Sequence, residues 1–359
     1  MKTIVIKIGT STLVRDGAID DQFLRGLARQ IKILRGEGWQ SVVVTSGAVR
    51  AGLNVLKRER ALHLAEKQAA AAIGQSLLMR AYRQALGEED LHVAQMLLTR
   101  ADLGDRRRFL NARHTSNQLF AWGVVPIINE NDTVATEEIR VGDNDTLAAL
   151  SGLVVGADKV LLLSDVDGFY LPGNSTPEAI IEAITPEIEA AAGGAGSIGG
   201  TGGMRTKLEA ARISTRAGCE MVIAQGRAAD VVLRVARGET IGTRFLVSSE
   251  GRLNARKSWL AHSRRIEGTL HLNICARAAL EERGSSLLPV GIETVEGEFG
   301  SGSLVSVRDE RGEIGRGVVR FSDDELRRIA GHKSSELAAI LGRDVAPEAI
   351  HRDEFSLGG

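Results

Sequence analysis

At 359 residues, 43% of them apolar and 25% charged, the chain has the composition of a soluble globular protein with room for two domains, which excludes a disordered or fibrous chain. Lys and Arg number 45 against 46 Asp and Glu, and a net charge of -1 provides no overall field for nucleic acid or an anionic membrane, so any anion must be met locally. Two widely separated cysteines (Cys219, Cys275), no leader pattern ahead of the first strand and no apolar run near the roughly 20 residues of a membrane span lead us to expect a cytoplasmic enzyme with free thiols.

Short runs of branched apolar residues predict strands over Thr3 to Ile8, Ser41 to Thr45, His92 to Leu97, Val124 to Asn129, Lys159 to Ser164 and Glu220 to Ala224. Most lack polar alternation and read as strands buried on both faces. Helical rhythms fall between them, including Phe23, Leu27, Ile31 and Leu34 before Gly36, the alanine-rich stretch Ala61 to Leu86, Leu147 to Val155, and Met204 through Thr215 before Gly218. Alternating strand and helix predicts an α/β fold, a three-layer αβα sandwich around a mainly parallel sheet. After about residue 250 the pattern changes. A basic connector (Arg252, Arg256, Lys257, Arg264, Arg265) precedes glycine-punctuated strand candidates at 268–272, 292–299, 304–307 and 317–321, with a helix over 276–282. Three segments are expected: a catalytic domain over 1–255, a basic linker over 256–266, and a small, mostly β domain over 267–359.

In a parallel sheet ligands bind beyond the carboxyl ends of the strands, and the unusual residues fall there. Lys7 interrupts the first apolar strand and is followed by Gly9-Thr10-Ser11; a lysine in a central strand needs an anion, the alternative being an edge strand in water. Ser46-Gly47 follows the second strand and Ser164-Asp165 the fifth. Asn129-Glu130-Asn131-Asp132 and, further on, Asp143-Asn144-Asp145 at a helix start suit a zwitterion, with a carboxylate for an ammonium group and N–H donors for a carboxylate. Turn and capping chemistry is the competing explanation for any one of them. Seven glycines in the eleven residues from Gly193 to Gly203 lead into Met204-Arg205-Thr206-Lys207 at a helix mouth. This is either a phosphate cradle with a counter-charge or a flexible linker. The Walker A order is absent, as are an H-x-x-x-H pair, a G-x-S-x-G elbow and a calcium-loop pattern. Arg106-Arg107-Arg108 reads as a solvated helix face or an intersubunit contact.

Taken together, Val5 to Ser11, Val44 to Ala48, Gln95 to Arg100, Asn129 to Ala135, Val141 to Asp145 and Gly200 to Lys207 resemble the glutamate 5-kinase family of the amino-acid kinase fold. The stretches Arg283 to Pro289 and Leu326 to Gly331 resemble that family's C-terminal PUA domain. The resemblance implies ATP contacts from Lys7, Gly9, Ser164, Asp165, Thr201, Gly202, Gly203, Met204, Arg205, Thr206 and Lys207. It also implies substrate contacts from Ser46, Gly47, Asp132 and Asn144, with Asp145 holding the two lysines. Lys7, Lys207 and Asp145 form the expected catalytic set. ATP and Mg²⁺ are the implied cofactors; no protein metal site is read from the sequence, so the nucleotide is expected to provide most of the Mg²⁺ ligands. The resemblance further implies L-glutamate as substrate, proline as inhibitor, a homo-oligomer (dimer or tetramer), and hand-over of the product to a reductase. Ser164 stands where the family often has Thr, and Arg205 where it often has Ser. Two other readings stay open: a kinase of the same fold acting on acetylglutamate, aspartate or a nucleoside monophosphate, and an RNA-binding protein. Residues 264–359 hold 13 Lys and Arg against 17 Asp and Glu, a net charge of -4 that opposes an RNA footprint.

Overall fold

The structure is a computed structural model describing residues 1–15, 17–61, 63–135, 143–193, 203–247, 266–281 and 284–357. The expected linker up to residue 265, Val141 and Gly142, and residues 194–202 of the glycine run, with Thr201 and Gly202, lie outside the described residues. The chain divides into two compact units, Met1–Leu103 with Phe109–Leu253, and Gly104–Arg108 with Asn254–Gly359.

In chain order the first unit's strands are β1 (Lys2–Ile8), the small hairpin β2 (Val14–Arg15) and β3 (Ala18–Ile19), β4 (Trp39–Thr45), β5 (His92–Leu98), β6 (Val124–Glu130), β7 (Lys159–Ser164), β8 (Ile180–Ile181), β9 (Glu220–Gln225) and β10 (Thr243–Phe245). Eight of them form one sheet in the order β5-β6-β4-β1-β7-β9-β10-β8. It is parallel from β5 through β9, and only the β9–β10 pair is antiparallel. The helices are α1 (Thr10–Leu13), α2 (Asp21–Gly36), α3 (Ala48–Val55), α4 (Leu64–Gly87), α5 (Arg100–Gly104), α6 (Arg106–Ala121), α7 (Asp143–Val155), α8 (Pro186–Gly193), α9 (Gly203–Arg216) and α10 (Val231–Ala236).

Side-chain parity divides the core into two layers. Ile4, Ile6 and Ile8 of β1 pack with α2, α4 and α10, whereas Val5 packs with α6, α7 and α9 on the opposite face. The three-layer αβα arrangement follows. In α2 the buried set Leu24, Leu27, Ala28, Ile31 and Leu34 repeats at helical spacing, and Asp20 caps the start by accepting from the Phe23 N–H at 3.0 Å. Strand β5 departs from the expectation of burial on both faces: it is the sheet's outer strand, paired only with β6, and most of its residues are partly exposed. Helix α3, which carries Gly52 in its interior, has no counterpart among the predicted elements. A Cβ on Gly52 would overlap the Ala70 carbonyl, and one on Gly74 the Ala48 carbonyl, so glycine is what lets α3 and α4 touch backbone to backbone. The triple-arginine segment opens α6, consistent with its reading as part of a helix.

The second unit has its own core and a five-stranded mixed sheet built from Gly268–Leu272, Ile292–Gly297, Leu304–Asp309, Gly312–Val318 and Phe355–Leu357. Gly268–Leu272 pairs antiparallel with Ile292–Gly297 and parallel with Leu304–Asp309. The strand expected over 317–321 begins earlier, at Gly312, because it closes a tight hairpin with Leu304–Asp309 at Asp309–Gly312. A helix that the sequence reading did not anticipate, Asp323–Ile329, starts at a capping box formed by Ser322 and Glu325.

Candidate active site

Four adjacent strands of the first sheet, β6, β4, β1 and β7, end side by side, and each is followed by polar residues. Their ends open onto a cavity of about 800 Å³ lined by Lys7, Gly9, Ser46, Gly47, Asp132, Asn144, Asp145, Ser164, Asp165, Gly203 and Lys207, among others. Every expected site residue within the described segments lines it except Met204, Arg205 and Thr206. Met204 packs into the apolar layer under α7 and α9, and Arg205 is exposed on the first turn of α9. Thr206 reaches the site indirectly, its hydroxyl lying 3.2 Å from Asp145 Oδ2.

Lys7 is on the same face of β1 as Val5, so it rises beneath α7 and α9 and stays 7% exposed. Its Nζ meets Asp145 Oδ1 at 2.5 Å, and Lys207 Nζ meets Asp145 Oδ2 at 3.0 Å. One fully buried carboxylate on the first turn of α7 therefore bridges a cation from the sheet and a cation from the first turns of α9. Burial alone would raise the Asp145 pKa, but the Lys7 and Lys207 ammonium groups outweigh it and hold the carboxyl below its ordinary range. Two cations on one anion leave a local charge of +1 facing the cavity. Anionic ligands are further favoured by the starts of α3 and α9, since Ala48 and Gly203 also line the wall.

Glycine keeps this floor open. A Cβ on Gly9 would lie 3.5 Å from Lys7 Nζ, in the space over the ammonium group. Gly47 adopts φ +97° at the turn from β4 into α3, a left-handed conformation that a side chain would strain. Such a floor fits the phosphates of a nucleotide. A protein metal centre has less to rest on: both Asp145 oxygens face ammonium groups, and among the described residues no three His, Cys, Asp or Glu side chains cluster to hold an ion.

The remaining wall mixes amides, acids and hydroxyls with two arginines, Arg50 and Arg100. Asn144 donates to Ser46 Oγ at 2.8 Å, tying α7 to the β4–α3 turn, and its buried Oδ1 accepts no hydrogen bond. A buried acceptor left unmatched costs about 1–3 kcal/mol and so invites a donor from a ligand. Asp132 is 9% exposed on the loop after β6, and Asn129 donates to Gln75 Oε1 at 2.8 Å. The sequence reading assigned no site role to Arg50, Thr99 or Arg100, which also line the cavity together with Glu130. Glu130 lay within a motif already noted; Arg50 belongs to the unanticipated α3 and had no signal. Cys219 is a buried free thiol whose pKa burial raises, away from the cavity lining.

Comparison with known proteins agrees with this geometry. The amino acid kinase family model matches residues 2–225, and the PUA domain model matches residues 268–341. The chain is 46% identical over 365 residues to a protein named glutamate 5-kinase from Citrifermentans bemidjiense, covering 99% of this chain and 98% of the relative. Proteins of the same name from Moorella thermoacetica (46% identity; 100% and 97% covered) and Caldanaerobacter subterraneus subsp. tengcongensis (43%; 98% and 96%) are similar along the whole chain. With a family model spanning more than half its length, relatives matched almost end to end, and the sheet whose strand ends carry the two-lysine floor, the chain belongs to the amino acid kinase family, with a PUA domain at its C-terminal end.

Proposed function

We propose that the chain transfers the γ-phosphoryl group of ATP to the side-chain carboxylate of L-glutamate, giving L-glutamyl 5-phosphate. The observation that carries the reading is the Lys7–Asp145–Lys207 bridge on the floor of a cavity whose other wall offers Asp132 and the open Asn144 Oδ1. The names of the full-length relatives support the choice of acceptor.

The γ-carboxyl of glutamate has an unperturbed pKa of roughly 4.3, so the nucleophile is ionised at neutral pH and needs no general base. What the protein must supply is positioning and charge neutralisation between two anions. In this reading Asp132 and Asn144 Oδ1 accept from the substrate's ammonium group, and Ser46 steers its carboxylate end. A carboxylate oxygen attacks the γ-phosphorus in line. The new O–P bond forms as the bond to the β-phosphate oxygen breaks, and ADP leaves with the electron pair. Lys7 and Lys207 neutralise the equatorial and leaving oxygens, Asp145 fixes both ammonium groups, and the N–H groups near Gly9 and Gly47 complete the cradle. Ser164, Asp165, Thr201, Gly202, Gly203 and Lys207 take the nucleotide, whereas Met204 and Arg205 do not face it. Mg²⁺, bound chiefly by the nucleotide, would add charge neutralisation at the β- and γ-phosphates.

The same reading makes the protein a cytoplasmic homo-oligomer, inhibited by proline at a site overlapping that of glutamate, whose acyl phosphate passes to a reductase. Among the described residues no helix is long and apolar enough to cross a membrane. The test is ADP release with L-glutamate, acetylglutamate, aspartate and nucleoside monophosphates, each with hydroxylamine to trap an acyl phosphate. Hydroxamate formed only with L-glutamate is expected, and turnover with another acceptor in its place would overturn the assignment.

A further inference from the structure

The acceptor side of the cavity is built at three points along two stretches of chain: the end of β4 with Ser46, the end of β6 with Asn129, and the loop that continues from β6 and carries Asp132. All three are held by one face of α4. Gln68 Nε2 donates to the Ala135 carbonyl at 3.1 Å, Gln75 Oε1 accepts from Asn129 Nδ2 at 2.8 Å, and the Tyr82 hydroxyl donates to Thr45 Oγ1 at 2.8 Å. These residues are spaced by seven, and seven helical residues fall about 20° short of two full turns, so they form one polar stripe.

Two of the contacts are hard to explain by stability alone. Gln75 gives its acceptor to Asn129 while its own buried Nε2 has no partner, a destabilising arrangement that an apolar side chain of equal length would avoid. Tyr82 is fully buried, and its hydroxyl begins a relay, for Thr45 Oγ1 in turn donates to the Ser46 carbonyl at 3.2 Å. Gly74, next to Gln75, lets α4 touch the Ala48 backbone, which fixes the helix against the same turn.

We propose that Gln68, Gln75 and Tyr82 are positioning residues: the stripe on α4 holds the acceptor side at three points and so sets the end of β4 relative to the end of β6 and its following loop, while Lys207 and Ser164 on the nucleotide side receive no hydrogen bond from it. The term acceptor side rests on the function proposed above.

The test uses the full chain with Gln68→Ala, Gln75→Met and Tyr82→Phe. Each variant is expected to raise the glutamate KM by roughly fivefold or more, the loss of one well-made hydrogen bond, with the ATP KM within about twofold of the parent. A stripe that merely supports the fold would lower the melting temperature without dividing the two KM values, and equal changes in both would overturn the proposal. Amide exchange of the ligand-free protein provides a readout independent of the substrate. Gln68→Ala is expected to speed exchange at Val134 and Ala135, whose N–H groups bond the Asn131 carbonyl, and to leave α9 unchanged. Parent-like exchange at Val134 and Ala135 would also overturn it. If the parent protein releases no ADP with glutamate, the functional reading falls and the exchange result alone decides the role of the stripe.

Discussion

Two ion clusters in the first unit share one composition, a carboxylate flanked by two cations, at opposite ends of the same sheet. At the carboxyl ends of the strands Asp145 bridges Lys7 and Lys207. At the start of β7 and β9, Glu220 meets Lys159 at 2.5 Å and takes a two-pronged contact from Arg244, with Nη2 at 2.9 Å. Both carboxyls are driven the same way: burial works to raise each pKa, and the paired cations lower it overall. The surroundings differ. Asp145 is fully enclosed and its lysines face an 800 Å³ cavity, whereas Lys159, Glu220 and Arg244 line no part of that cavity. The charge count is therefore common to both; open space floored by glycine and flanked by helix starts is what makes one cluster able to receive an anion.

The largest test of that contrast pairs Lys207→Met with Lys159→Met. The first should keep its fold and lose about 10³-fold or more in kcat, and the second should lower the melting temperature while leaving kcat within about twofold. Similar kcat values for the two variants would break the comparison. Next comes Asp145→Asn, which leaves two ammonium groups without their shared anion and should cost about 3–5 kcal/mol at neutral pH. Because the folded pKa of Asp145 lies below the unfolded value of about 3.9, its stabilisation is complete above that value and disappears as pH falls through the folded pKa. Urea melts should thus show the gap between parent and variant closing below about pH 4, and a gap constant from pH 7 to pH 3 would contradict the bridge. On the acceptor wall, Asp132→Ala should raise the glutamate KM by about tenfold or more with little change for ATP, as expected for a lost charged contact. Equal effects on both substrates would remove its ammonium-binding role. The smallest effect is expected at Arg205, exposed on α9: Arg205→Ser should change the ATP KM by less than about twofold, and a larger shift would mean that the side chain reaches the nucleotide.

Much of this was legible before folding. Strands declare themselves as uninterrupted apolar, largely β-branched runs, so all six strands of the parallel set (β5, β6, β4, β1, β7 and β9) were anticipated, although β5 proved to be an edge strand, and the lysine inside β1 marked a site because a buried cation needs an anion. Elements held mainly by their neighbours were not. The short strands β8 and β10 gain their hydrogen bonds from an existing sheet edge, and α3 depends on a glycine contact with α4 that no local propensity encodes. Arg50 and the stripe on α4 were missed for the same reason: a glutamine in an alanine-rich helix is unremarkable until its partner, 54 residues away, is known.

By itself the sequence determined the α/β alternation, the change of character near residue 250, and the residue types of a phosphate and zwitterion site, because periodicity and buried charge are local properties. The tertiary structure decided which cations share Asp145, that Met204 and Arg205 turn away from the cavity, and that Glu220 is likewise flanked by two cations, Lys159 and Arg244, without the same opening. Those outcomes depend on strand order and side-chain parity, which bring Lys7, Asp145 and Lys207 together from positions up to 200 residues apart.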